Sequence, residues 1–466
     1  MGEANVSGAP PAVASVRVLA VSRVVPEPAG RTAGEGPVKL SFFDTPWVVL
    51  PPIQRVFLYE LPGADEFPAV VRRLKESLAA TLALYLPLAG KLAYVPETGD
   101  VVVDCADPGV AFVEAEAAEG SDMDVRRLAG NEAHDIPAFL ALVPELDAKV
   151  LPAPVLLVQT TRLGGGLALG LSVLHAVADG QAVWRFMGAW AAASREGSPV
   201  TKSLGPPHYS RDAINVPGGD EFAREMLKKV APNLPVANAM GYDFSQRFRL
   251  ARRTFYLAAD DIRSLKRHID ALALAENAAG DNEAPISCKP VSTFVALSAL
   301  GWTAFVRSKG LASGDDTYLM FLADLRARLD PPVGDGYLGN CIKGCLASAD
   351  AGDLLGERGL LHASRAIQAA VAEMEAAPLA GTERWIERVM TLPFARLANV
   401  AASPRFRVYE AADLGFGQPA RVELVSMNHD GEMVLVGGRR DGEVQLSVSL
   451  DPARMDAFKA HILAID

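Results

Sequence analysis

Cysteine is scarce in this chain of 466 residues. Its four copies, Cys105, Cys288, Cys341 and Cys345, are too few and too scattered to frame a disulfide scaffold, so a reducing, cytoplasmic setting is expected. Positive charge is short as well. Lys+Arg total 45 against 56 Asp+Glu, a net charge of −11, which excludes the broad basic face that nucleic-acid phosphates require. Long apolar runs are missing. The most apolar stretch, Leu78 to Gly90, falls short of the roughly 18 residues of a spanning helix, so no membrane partner is expected. The opening MGEANVSGAPPAV lacks the basic-then-apolar order of a targeting signal and has Val6 where myristoylation wants Ser or Thr. Met1 to Ala14 read as a frayed tail. What is present is apolar mass: half the residues are hydrophobic and 22% charged, enough for a large core, and the length suits two domains.

Val70, Val71, Leu74, Leu78 and Leu82 recur at helical spacing until Pro87 and Gly90 stop the pattern. A hairpin turned at Glu97 to Asp100 follows. Two more strands, Val155–Thr161 and Leu167–Leu174, are joined by a turn at Gly164 to Gly166, which leaves His175 at a strand end. Beyond Asp179 and Gly180, Val183, Met187, Trp190 and Ala191 mark a helix to about Arg195. Gly and Pro then crowd the chain without apolar periodicity. The expected division is therefore a domain over 1–195, a linker over 196–225 and a domain over 226–466. The second half shows a strand at Thr254–Leu257, a helix from Asp260, a polar loop at Glu276–Glu283 and an apolar helix at Thr293–Val306. A hairpin of Met433–Gly437 with Val444–Leu450 and a last helix from Pro452 close it. Helices and strands alternate in both halves, which predicts layered α/β or α+β domains.

The densest chemistry lies in HAVADG, His175 to Gly180, where an imidazole and a carboxylate stand four residues apart at a strand-to-helix junction. A histidine titrates near neutral pH and can take a proton from a hydroxyl; it can equally be a core histidine bonded to backbone. Asp179 before an amphipathic helix reads as an N-cap or a structural ion pair. A metal site is not expected, because HAVADG has no further ligands nearby and the C-x-x-x-C of Cys341 and Cys345 has no second pair. Ser292 and Thr293 open the apolar helix as caps, and Trp47 suits a core.

Several motifs in order shift this balance. They are KLSFFDTPWVVLPPIQRVFLYELP (Lys39 to Pro62), YLPLAGKL (Tyr85 to Leu92), HAVADG, DLRARLDPP (Asp324 to Pro332), YLGNC (Tyr337 to Cys341) and DLGFG (Asp413 to Gly417). Together they resemble the plant BAHD acyl-CoA-dependent acyltransferases over nearly the whole chain. Two departures stand out: DLGFG replaces the usual DFGWG at Leu414 and Phe416, and YLGNC replaces YFGNC. The resemblance implies two similar-sized α/β domains like chloramphenicol acetyltransferase, with mixed sheets, helices and an active-site channel at their interface. It implies His175 as the general base that deprotonates an acceptor hydroxyl for attack on a thioester. Asp179 would pair with Arg326 or Arg328, and Asp413 would be structural near the site. Trp47, Asn340 and Cys341 would contact acceptor or acyl group, Cys341 alternatively being a small buried hydrophobe. Ser292 and Thr293 would touch CoA. The YLGNC form is typical of the branch acylating anthocyanin, flavonoid and other phenolic glucosides, often from malonyl-CoA, which implies a monomeric enzyme with that co-substrate and no permanently bound cofactor. A malonyl carboxylate would need a cation, for which Arg185, Lys343 and Arg407 are candidates. Hydroxycinnamoyl transfer, to a phenolic glycoside or an amine, and a non-catalytic ligand-binding role are the alternatives.

Overall fold

The computed structural model describes residues 16–27, 36–61, 67–214, 216, 218–238, 244–279 and 290–464; the expected Met1–Ala14 tail, Cys288 and the end of the Glu276–Glu283 loop lie outside these. Two six-stranded mixed sheets organise the chain. The first runs Val16–Val24, Val110–Ala117, Leu156–Leu163, Gly166–Val173, Ile53–Glu60, Arg421–Leu424, and the second Ala251–Leu257, Val444–Leu450, Glu432–Gly437, Leu397–Ser403, Asp316–Asp324, Ile342–Asp350. Each sheet packs helices over its own core, giving an α/β fold of two domains. A four-stranded sheet of Val38–Lys39, Asp100–Asp104, Lys91–Val95 and Ala153–Pro154 flanks the first.

The strand Gly166–Val173 is buried along nearly its whole length, which explains its near-continuous apolar sequence. Gly165, at φ +73°, makes the turn into it, a conformation that side chains with a Cβ rarely adopt. The helix Phe67–Leu82 buries Val70, Val71, Leu74, Leu78 and Leu82, the positions whose spacing predicts it. It lies against the helix Gly180–Glu196, whose Trp190 indole N–H donates to Leu74 O (3.2 Å) and Ser77 Oγ (3.0 Å). Gly197, at φ +74°, ends that second helix in the left-handed conformation usual at a C-cap.

Chain order and sheet membership part company at one strand. Arg421–Leu424 comes from far beyond residue 226, yet it completes the first sheet by pairing antiparallel with Ile53–Glu60, Leu424 opposite Arg55 and Val422 opposite Phe57. In exchange, Phe42 and Phe43 join the second core. The segment 196–225, expected to be a linker, carries the start of a helix, Gly219–Val230, and Arg211, whose Nε donates to Asp44 at 2.9 Å. The loop expected from Glu276 is corrected too. The helix Ala259–Ala279 takes in its first four residues, because the run ALALAENAA is rich in strong helix formers and Glu276 pairs with Arg358 (2.9 Å) and Arg365. Among the described residues no helix is long and apolar enough to cross a membrane.

Candidate active site

A cavity of about 1600 Å³ opens between the two sheets, with Trp47, Arg55 and His175 on its lining together with Ser292, Thr293 and Asn399 from the other half. His175 reaches it because the strand Gly166–Val173 ends just before it and the next helix starts at Gly180. Asp179 fixes that short connection. One carboxylate oxygen, Oδ1, accepts the Ala182 N–H (3.0 Å) as an N-cap. The same carboxylate receives a two-pronged contact from Arg326, Nη1 to Oδ2 at 2.9 Å and Nη2 to Oδ1 at 3.0 Å, and the Cys341 N–H at 3.1 Å. Both side chains are sealed from solvent. Burial by itself would lower the Arg326 guanidinium, but the adjacent Asp179 carboxylate outweighs it and holds the group above its ordinary value. Asp179 thus turns away from the cavity and is tied to the loop that follows the second sheet's Asp316–Asp324 strand.

The amide of Asn340 orients the imidazole. Its Nδ2 donates to Asp44 Oδ1 (3.0 Å) and to the His175 carbonyl (2.8 Å), which turns Oδ1 towards His175 Nδ1 at 3.1 Å. An amide oxygen only accepts, so this network assigns the ring proton to Nδ1 and leaves the Nε2 lone pair uncommitted. Burial pushes His175 below its ordinary value of 6.5, so the ring is neutral at pH 7. Trp47 stacks on it, with centroids 4.1 Å apart and planes at 10°, while its indole N–H donates to Phe43 O at 2.9 Å. Behind Asn340, the fully buried Asp44 also accepts from the Ser41 hydroxyl (2.7 Å), the Asn340 N–H (2.8 Å) and Arg211 Nε (2.9 Å).

The remaining sequence-predicted residues divide. Ser292 and Thr293 line the cavity, Ser292 Oγ also capping its helix by accepting the Val295 N–H at 3.2 Å. Asn340 and Cys341, which the resemblance would set against substrate, are fully buried behind His175 and absent from the cavity lining, because the Asp44 and Asp179 carboxylates draw their N–H groups inwards; for Cys341 this matches the alternative reading of a small buried hydrophobe. Burial pushes the Cys341 thiol up to about 12, so it stays protonated. Arg328 does not reach Asp179; it donates to Asp324 O (2.7 Å) and meets Glu375 at 3.5 Å. Asp413 is not near the site. The Arg195 guanidinium holds its carbonyl at the far end of the helix Gly180–Glu196, about 24 Å from Asp179 at 1.5 Å per residue. Leu414 O accepts the Ser194 hydroxyl (2.6 Å), and Phe416 packs edge-on against Tyr59 at 4.7 Å. Of the three candidate cations only Arg407 lines the cavity, exposed and paired with Glu410 (3.0 Å). Arg185 donates to Gly205 O and Lys343 to Ala377 O, both outside it.

Sequence reasoning missed Asp44, Arg211 and Arg55. Asp44 sits in the FFDTPW motif three residues after Ser41, a local capping pattern that could have singled it out. Arg211 lies in a Gly- and Pro-rich stretch where an arginine looks solvated, and Arg55 stands next to Gln54 at the polar start of the strand IQRVFLYE. Neither carries a local signal. No group of three or more His, Cys, Asp or Glu side chains placed to hold a metal occurs among the described residues.

A model of the Transferase family matches residues 16–464. Phenolic glucoside malonyltransferase 2 of Arabidopsis thaliana is 28% identical over 465 residues, covering 95% of this chain and 97% of the relative. Malonyl-coenzyme:anthocyanin 5-O-glucoside-6'''-O-malonyltransferase of Salvia splendens is 29% identical over 467 residues, covering 95% and 94%. The crystal structure of vinorine synthase superposes with a TM-score of 0.69 at 18% identity, covering 97% of this chain and 98% of that one, a likeness of fold. With the family match spanning both sheets and the cavity between them, this chain belongs to the BAHD transferase family and is an acyltransferase.

Proposed function

We propose that the protein transfers malonyl from malonyl-CoA to a sugar hydroxyl of a phenolic glucoside, flavonoid and anthocyanin glucosides included, with His175 as general base. One observation carries this reading: a neutral imidazole lines the large cavity with Nε2 uncommitted, its Nδ1 side held by Asn340 and one face by Trp47. Nε2 removes the proton of the acceptor hydroxyl as the oxygen attacks the thioester carbonyl. The tetrahedral intermediate then collapses, the C–S bond breaks, and the imidazolium returns the proton to the departing CoA sulfur. Trp47 stabilises the transient imidazolium through its π-face. Transfer is direct, since a Cys341 thiol that stays protonated and faces away from the cavity is no nucleophile. Ser292 and Thr293, at the N-terminus of the helix Thr293–Lys309, suit contact with the phosphate or pantetheine part of CoA. The malonyl donor and glucoside acceptor are supported by the names of the relatives. One chain supplies both walls of the cavity, so a monomer suffices, and the free Cys105, Cys341 and Cys345 suit a reducing cytoplasm.

A second reading, hydroxycinnamoyl transfer, is favoured by Phe294 and Phe321, an edge-on pair 5.4 Å apart on the cavity lining, with Phe394 and Phe406 on the same lining. Thiol release from malonyl-, acetyl- and coumaroyl-CoA with a panel of phenolic glucosides decides between them. Malonyl-CoA is expected to be the best donor. Faster coumaroyl transfer replaces the malonyl reading, and no release from any thioester contradicts turnover altogether.

A further inference from the structure

Four arginines are deeply buried among the described residues: Arg55, Arg252, Arg326 and Arg421. Three have acceptors. Arg326 holds Asp179, Arg421 holds Glu423 and the Leu128 carbonyl, and Arg252 holds the Val425 and Met427 carbonyls. Arg55, 6% exposed, has no hydrogen-bond acceptor and no paired carboxylate among the described residues. Its Nε is sealed from solvent without a partner, and its guanidinium lies 4.7 Å from the Trp184 ring centroid. Glu423, which attracts it electrostatically, is already committed to Arg421 (2.8 Å), Thr254 (2.6 Å) and Ser447 (2.8 Å). Burial lowers Arg55 to about 10, so it is a charged group at neutral pH.

This unpaired cation lines the same cavity as His175. In register it faces Leu171, four residues before the histidine and so about 13 Å away along extended chain, a gap that a long side chain shortens. A buried charge without a partner costs several kcal/mol, whereas an incoming anion would relieve that cost and gain a charge-assisted pair. The π-face of Trp184 supports the guanidinium and leaves the edge of its planar fork for a carboxylate. Phosphates are better met by the exposed cations Arg405, Arg407 and Arg440 on the same lining, since a doubly charged group needs more than one enclosed arginine.

We propose that Arg55 reads a carboxylate on one of the two substrates, either the free end of a dicarboxylic acyl group or an acid group on the glycoside acceptor. This rests on the reading that the cavity takes an acyl-CoA and a phenolic glycoside. The test is calorimetric binding of malonyl-CoA against acetyl-CoA, and of 4-carboxyphenyl glucoside against phenyl glucoside, to the native protein, Arg55→Gln and Arg55→Lys. One acid-to-neutral affinity ratio is expected to fall about 10- to 100-fold in Arg55→Gln and much less in Arg55→Lys. A fall in the CoA pair assigns the carboxylate to the donor; a fall in the glucoside pair assigns it to the acceptor. Ratios unchanged within about threefold in every variant that folds overturn the proposal. So does a lowered melting midpoint of Arg55→Gln with its own acid-to-neutral ratios unchanged, which would mark Arg55 as a packing residue. If the native protein binds neither thioesters nor glucosides, the reading of the cavity itself fails, an outcome distinct from binding without discrimination.

Discussion

Two buried histidines, His134 and His175, feel nearby carboxylates, and of the two only His175 lines the cavity. His134 Nε2 lies 2.8 Å from Thr254 Oγ1 and 3.5 Å from Glu423, with its side chain sealed from solvent and away from the cavity. Burial pushes Glu423 up, but its neighbours, Arg421 among them, outweigh this and keep it ionised, so the carboxylate only accepts and the Thr254 hydroxyl donates to it at 2.6 Å. The His134 proton therefore sits on Nε2, aimed at Thr254, where it ties the strand Ala251–Leu257 to Arg421–Leu424. At His175 the proton sits on Nδ1 and Nε2 is left over. The partners differ: a threonine hydroxyl and Glu423 hold His134, whereas the Asn340 amide and the stacked Trp47 hold His175. What separates the two is which nitrogen the hydrogen bond commits and whether the ring lines the cavity.

The sharpest way to break this contrast is His175→Ala, expected to lower kcat by roughly 10²- to 10⁴-fold in protein that still folds. Near-native turnover would erase the distinction. Removing a charge behind the site should do the opposite. Asp179→Ala strips Arg326 of its buried two-pronged partner, leaving the more exposed Asp324 at 3.3 Å as its ion partner, and is expected to cost up to about 3 to 5 kcal/mol in urea unfolding, with activity falling alongside. Full stability with no activity would make Asp179 a direct participant. His134→Gln should cost about 1 to 3 kcal/mol, the range for disturbing a buried hydrogen bond, yet keep kcat per folded molecule. It should also flatten a pH dependence. Burial lowers His134 to about 3 in the folded state against an ordinary 6.5, so its contribution is complete above about 6.5 and is lost as pH falls towards 3. Urea midpoints at pH 7 and pH 5 read that slope.

Much of the contrast was legible beforehand, though unevenly. The strand end, His175 and the capped helix after Asp179 follow from an apolar run opened by a glycine turn and from an Asp-Gly before a 3.6-residue period. These are local signals. The choice of Arg326 over Arg328 depended on which side of a loop turns inwards, which two arginines two residues apart do not disclose. A motif near a site looks functional throughout, which makes Asn340 look like a substrate contact and leaves Cys341 open between that and a small buried hydrophobe. In the fold their N–H groups bond to Asp44 and Asp179, long-range partners that no spacing reveals. Arg421–Leu424 was illegible for the same reason: a four-residue strand with two charges has little periodicity, and its place beside Ile53–Glu60 is a property of the assembled sheet.

The central claim, that the cavity-facing nitrogen of His175 is the base, is tested most directly by kcat/KM for acyl transfer as a function of pH. The base must be unprotonated, and burial lowers its pKa from the ordinary 6.5, so activity should persist below that pH and fall along a single acid limb with its midpoint under 6.5. The residual activity of His175→Ala should lack that limb. A midpoint above 6.5, or the same limb surviving in His175→Ala, would contradict the assignment.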